Sequence, residues 1–98
     1  MDKNAYKISD EYDAIFKELL TIKKPSISLI QKRWKLSFEK AEVLYEELCL
    51  YSDEVFLHGT LHELSFEEEP PTVARIMNKF NVSYILATKI YDFYMGNC

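Results

Sequence analysis

The stretch Pro25–Leu48 recurs 46 residues later as Pro71–Tyr94. Five of the 24 aligned positions are identical: Pro25/Pro71, Ile30/Ile76, Ser37/Ser83, Ala41/Ala87 and Tyr45/Tyr91. Eight more pairs are conservative: Ser26/Thr72, Ile27/Val73, Arg33/Lys79, Trp34/Phe80, Leu36/Val82, Phe38/Tyr84, Leu44/Ile90 and Glu46/Asp92. A pattern present twice in 98 residues predicts one supersecondary unit built twice and stacked. The matched serine and alanine fall where a tight elbow between two helices needs a cap and a small residue. Two unrelated amphipathic hairpins would share part of this by composition, so the pairing of elbows is what the repeat reading stands on.

The unit itself is legible in the first copy. Tyr12, Ile15, Phe16, Leu19 and Leu20 recur at helical spacing after Ser9, a candidate N-cap. Acids at the start and Lys23 and Lys24 at the end suit the helix dipole, and Pro25 ends the segment. Ser28 followed by Gln31 has the capping-box spacing, which predicts a short helix over 28–35 with Leu29, Ile30 and Trp34 inward. After the break Lys35-Leu36-Ser37, a longer helix is expected over 38–50, burying Ala41, Leu44, Tyr45 and Leu48. A short helix, a three-residue break and a longer helix form the helix–turn–helix layout. The matching expectation for the second copy is helices over 73–80 and 84–95.

Between the copies, two apolar-containing runs flank His58-Gly59-Thr60 within residues 53–66. A β-hairpin is expected there, the wing of a winged helix, with a helix through Leu61–Phe66 as the competitor. Any strands are confined to Ser26–Ile27 and 54–66. The expected organisation is a flexible arm over 1–8, a winged helix–turn–helix over 9–66, an acidic proline linker over 67–71 and a helical hairpin over 72–98 packed on it. The fold class is therefore mainly α, a winged helix–turn–helix followed by a degenerate second one.

Charge narrows the partners. The chain is acidic, at −4 overall, yet Lys23–Lys40 holds six basic residues against one acid, a local +5. From Tyr51 onward three basic residues meet seven acids, a local −4. A basic patch on an acidic molecule suits nucleic acid at one place rather than everywhere. No apolar run approaches the ~20 residues of a membrane helix, and the polar, acidic start is unlike a secretory signal. Two cysteines, Cys49 and Cys98, are too few for a disulfide framework, so a reduced cytoplasmic protein is expected.

The run SISLIQKRWKLSFEKAEVLYEEL, Ser26–Leu48, resembles the helix–turn–helix of the C-terminal gamma domain of FtsK/SpoIIIE-type DNA translocases, which reads much like SISxxQRxFRIGYNRAARxxExM. Ser26, Ile27, Ser28, Gln31, Ala41 and Glu46 coincide with it; Lys32, Trp34, Lys35, Leu36, Phe38, Lys40 and Leu48 are conservative matches. The resemblance, over about 10–66, implies a small winged helix that binds double-stranded DNA, without the motor: the chain has no phosphate-binding loop. It implies DNA contacts from Gln31, Lys32, Arg33, Lys35, Ser37 and Lys40. The departures lie on the outward side of the second helix, where Glu39, Glu42 and Val43 replace Asn, Ala and Arg of the motif. Acids there repel phosphates, although a Glu can also accept from a cytosine amino group.

Those departures keep a second reading open: an acidic protein-binding module that inhibits or sequesters a nucleic-acid-handling host protein, as small mobile-element proteins do. Tyr84, Tyr91, Phe93 and Tyr94 exceed what one short helix buries in so small a fold, and form the candidate protein interface, to a partner or in a homodimer. Trp34 reads as core, Cys49 as a buried small hydrophobe and Cys98 as a reactive terminal thiol. His58 and His62 lack the further ligands a zinc site needs. No catalytic constellation, metal set or cofactor motif is present, so an enzyme is not expected.

Overall fold

The structure, a computed structural model, describes residues 3–96. Seven helices follow in chain order: α1 Lys3–Lys7, α2 Asp10–Leu19, α3 Ile27–Trp34, α4 Phe38–Tyr51, α5 Glu54–Leu64, α6 Val73–Phe80 and α7 Tyr84–Tyr94. No strand occurs among the described residues, and none of their helices is long and apolar enough to cross a membrane. Side-chain oxygens start the helices. Ser9, Ser26, Ser37, Thr72 and Ser83 each accept from the backbone N–H three residues on, satisfying one of the orphan donors of a helix start.

The repeat is structural. Lys35 and Asn81, 46 positions apart, end α3 and α6 in the same left-handed conformation, with φ of 54° and 55°. In both elbows the next N–H reaches back five residues, Leu36 to the Gln31 carbonyl and Val82 to the Met77 carbonyl, each at 3.2 Å. That is the Schellman closure of a helix end. Ile30/Ile76, Ala41/Ala87 and Leu44/Ile90 are all buried. Each elbow leans on a preceding helix, α2 in the first unit and α5 in the second, so two three-helix units stand in tandem. Their cores are distinct: Tyr12, Ile15, Phe16, Leu19, Ile30 and Leu44 centre the first, and Leu57, Leu64, Ile76, Leu86 and Ile90 the second. Tyr51, at the end of α4, packs against both.

Several expectations give way. Residues 53–66, expected as a hairpin wing, are mostly α5. Asp53 caps it, its Oδ1 accepting from Val55 and Phe56 N–H at 3.0 and 3.2 Å. Leu57, Thr60 and Leu64 turn inward at helical spacing. Gly59 therefore lies inside a helix and turns nothing. Ser26 and Ile27, left open to a strand, are the cap and first residue of α3, and the cap is Ser26 rather than Ser28. The arm contains α1, and Tyr6 in it is buried edge-on against Tyr12 at 5.1 Å. In the linker, Pro71 is buried, while Glu67 and Glu69 reach Lys79 and Arg75 at 3.2 and 2.6 Å. Cys49 is exposed, not buried, and Cys98 lies outside the described residues.

A buried carboxylate joins the two units. Glu47, on α4, receives the Tyr12 hydroxyl at 2.7 Å on Oε1 and the Ser83 backbone N–H at 3.0 Å on Oε2. The acceptor therefore lies at the N-terminus of α7, where the helix dipole favours negative charge. Lys7 Nζ stands 3.5 Å from Oε2 and donates to the Asn81 carbonyl at 2.9 Å. One acid thus ties α1, α2, α4 and the second elbow together. Burial and the neighbouring carboxylate push the Tyr12 phenol far up.

Candidate nucleic-acid interface

The basic surface is built on α3. Ser28 and Lys32 fall at i and i+4 on one side of the helix, Lys35 follows as its left-handed cap, and all three are exposed. The opposite side is anchored by Ile30, which is fully buried, so this stripe faces solvent. Among the described residues, no carboxylate lies within salt-bridge distance of Lys32 or Lys35. Lys23 and Lys24, in the turn before α3, are exposed as well. A shallow depression of about 490 Å³ opens beside the stripe, lined by Ser26, Ser28, Leu29, Lys32 and Arg33.

The six residues expected to contact DNA are not equivalent. Lys32 and Lys35 project freely. Arg33 is exposed, but its guanidinium rests 5.3 Å from the centre of the Trp34 ring and 3.5 Å from the Glu18 carboxylate. An ion pair so exposed is weak, ~0–1 kcal/mol, so Arg33 can exchange Glu18 for another anion. Gln31 is half-buried beside the stripe, and its carbonyl closes the elbow. Ser37 serves as the α4 cap, accepting from Lys40 N–H at 3.3 Å. Lys40 is half-buried with Nζ 5.0 Å from the centre of the Tyr6 ring, a cation–π contact that holds it against α1. The patch is thus gathered on α3 and the turn before it, with Lys40 drawn away.

The outward side of α4 has another character. Glu39 and Glu46 are exposed, Glu42 is half-buried, and Phe38 at the helix start is 55% exposed. Its repeat mate Tyr84 is 53% exposed at the start of α7. Tyr84 and Phe93 line a groove of about 410 Å³ between α2, α4 and α7, with Tyr51 and Ile85 in its wall. Lys89 stands on its edge, its Nζ 4.9 Å from the Tyr51 ring centre. Tyr91 and Phe93 are half-buried and Tyr94 is partly exposed at the end of α7. The tyrosine-rich tail is divided between packing and surface. In the second unit the basic residues of α6 are already matched, Arg75 by Glu69 and Lys79 by Glu67.

Glu47, Lys7 and Tyr6 carry no functional signal in the sequence. Glu47 follows Glu46 in what reads as a solvated charge pair, and only the docking of α7 makes one of them interior. Val43, expected on the outward side of α4 with Glu39 and Glu42, is instead buried, on the side of the helix that Glu47, four residues on, also buries. Comparison with protein-family models, with curated proteins and with solved structures returns no match.

Proposed function

We propose that this chain is a small helix–turn–helix protein that binds double-stranded DNA through its phosphates, using α3 and the turn before it. The observation that supports the reading is the outward stripe of Lys32 and Lys35, without acidic partners among the described residues and flanked by Arg33, Lys23 and Lys24. Phosphate contacts in helix–turn–helix proteins come from such positions, whereas base edges are read by the start of the second helix. That start presents Phe38, Glu39 and Glu42, so binding is non-specific or altered relative to the FtsK/SpoIIIE gamma domain that Ser26–Leu48 resembles. Each phosphate neutralised adds about 0.9 to the slope of log affinity against log salt, so five cations give a slope of about −4.5. A titration of random duplex DNA over a range of salt concentrations tests this. Neutralising Lys32, Arg33 and Lys35 to Gln together should weaken binding and lower the slope by about 2.7. An unchanged slope would remove α3 from the interface.

The second reading is a protein-binding module, favoured by one specific observation: Phe38 and Tyr84, repeat mates, are both exposed at helix starts, Phe38 beside Glu39. It predicts no duplex binding at ~100 mM salt, a concentration at which a five-phosphate contact remains measurable.

A further inference from the structure

We infer that α1 is an autoinhibitory clasp: it docks on one side of α4 and withholds Lys40, the only cation of that helix, from phosphate. The inference rests on the phosphate-binding reading above. Lys40, Val43 and Glu47 follow at i, i+3 and i+7, along one side of α4. α1 packs against that helix and meets both ends of the row from adjacent residues. The Tyr6 ring takes the Lys40 amine at 5.0 Å, and Lys7 Nζ stands 3.5 Å from the Glu47 carboxylate. Val43, between them, is buried in the same core as Tyr6. The start of the second helix is where a helix–turn–helix protein meets DNA. A cation in the first turn of α4 is therefore well placed for a phosphate once it is released.

Two observations mark this contact as one that opens. First, Lys40 is held by a ring and not by an acid. Among the described residues no carboxylate lies within salt-bridge distance of it, although Glu39 precedes it and Glu42 follows two residues on. A phosphate that takes the amine thus displaces no anion, and a cation–π contact that is only half-buried is weak. Second, the Tyr6 hydroxyl is buried without a hydrogen-bond partner. An unpaired buried hydroxyl works against the docked position of α1. The clasp is five residues long and joins α2 through exposed Ile8, while α2 carries its own cap in Ser9. α1 can therefore lift without unwinding α2.

A salt-dependent titration of random duplex DNA with the full chain tests the clasp, using substitutions that separate the ring from the hydroxyl. Tyr6→Leu keeps an apolar side chain but has no ring to hold the amine. It should tighten binding several-fold at low salt and steepen the slope from about −4.5 to about −5.4, one further phosphate, with unchanged helical circular dichroism. Tyr6→Phe keeps the ring, so it should show the slope of the natural chain. Lys40→Gln should leave the natural chain's binding unchanged and cancel the gain when combined with Tyr6→Leu. If Tyr6→Leu costs helix, Lys40→Gln alone decides: a slope lowered by about 0.9 would show Lys40 already on a phosphate and overturn the clasp. Equal binding by the natural chain and a folded Tyr6→Leu would also overturn it, leaving the phosphate reading in place. No duplex binding at low salt by the natural chain or any variant would remove that reading, and the clasp with it.

Discussion

Lys35 and Asn81 occupy the same left-handed position at the two elbows, and the two residues tolerate it differently. Asparagine visits that region readily, whereas a lysine there costs about 1 kcal/mol through its Cβ. The first elbow thus keeps a cation where a residue better suited to the conformation would fit, and the proposed phosphate binding would give that cation a use. Lys35→Asn should raise stability by about 0.5–1 kcal/mol, read by urea denaturation, while weakening DNA binding and lowering its salt slope. A variant more stable and equally good at binding would leave Lys35 as a helix-end charge only. Tyr12 gives the converse test. Tyr12→Phe removes a hydrogen bond to a buried carboxylate and should cost about 1.5–3 kcal/mol in the same measurement. Tyrosine ionisation adds a pH signature. Burial, with Glu11 nearby, pushes the Tyr6 phenol up to about 12, and burial with Glu47 raises Tyr12 further. Both folded values lie above the unfolded value near 10. Their contribution to stability is therefore complete below pH ~10 and lost as pH rises through the folded values. In an ultraviolet titration these two tyrosines should ionise last, together with loss of helix. Normal titration of all seven tyrosines in a folded chain would contradict that placement.

At the scale of elements, what the sequence discloses and what it conceals have separate physical causes. The elbows are legible because capping and closure are local: Ser37 and Ser83 bond three residues away, and the buried alanines follow within a turn. α5 is concealed because Gly59 looks like a turn, whereas the Asp53 cap and the burial of Leu57 and Leu64 in the second core hold it helical. α1 is concealed because its stability comes from long-range partners, with Lys40 on Tyr6 and Lys7 at Asn81. The members of the basic patch can be read residue by residue, but its division cannot. That Lys40 turns to Tyr6 while Lys32 and Lys35 face outward depends on where α1 lies. If both serines act as caps, Ser37→Ala and Ser83→Ala should each cost about 0.5–2 kcal/mol. Ser83 should cost the more because its hydroxyl is buried. A Ser83→Ala variant with unchanged thermal stability would show that the second elbow needs no cap.

The whole molecule consists of two small cores that share Tyr51 and are bridged by Glu47, in a body measuring 44 × 29 × 18 Å. A unit near the ~40-residue lower limit for folding alone depends on that bridge. The full chain should therefore melt in one transition, and a fragment from residue 53 onward should lack stable helix by circular dichroism. Two separated transitions would mean that the units are energetically independent. The division of charge follows the same division of the body, with a basic stripe on the first unit and the α6 cations of the second matched by Glu67 and Glu69. If the stripe grips phosphates while the start of α4 does not read bases, one titration shows both. Unrelated duplexes of equal length are titrated at low salt with the natural chain and with Glu39→Asn/Glu42→Ala. The expected result is binding that is equal across sequences, steeply weakened by salt, and tightened when the two acids are removed from the neighbourhood of the phosphates. Absence of binding at low salt, persisting after the two replacements, would contradict it.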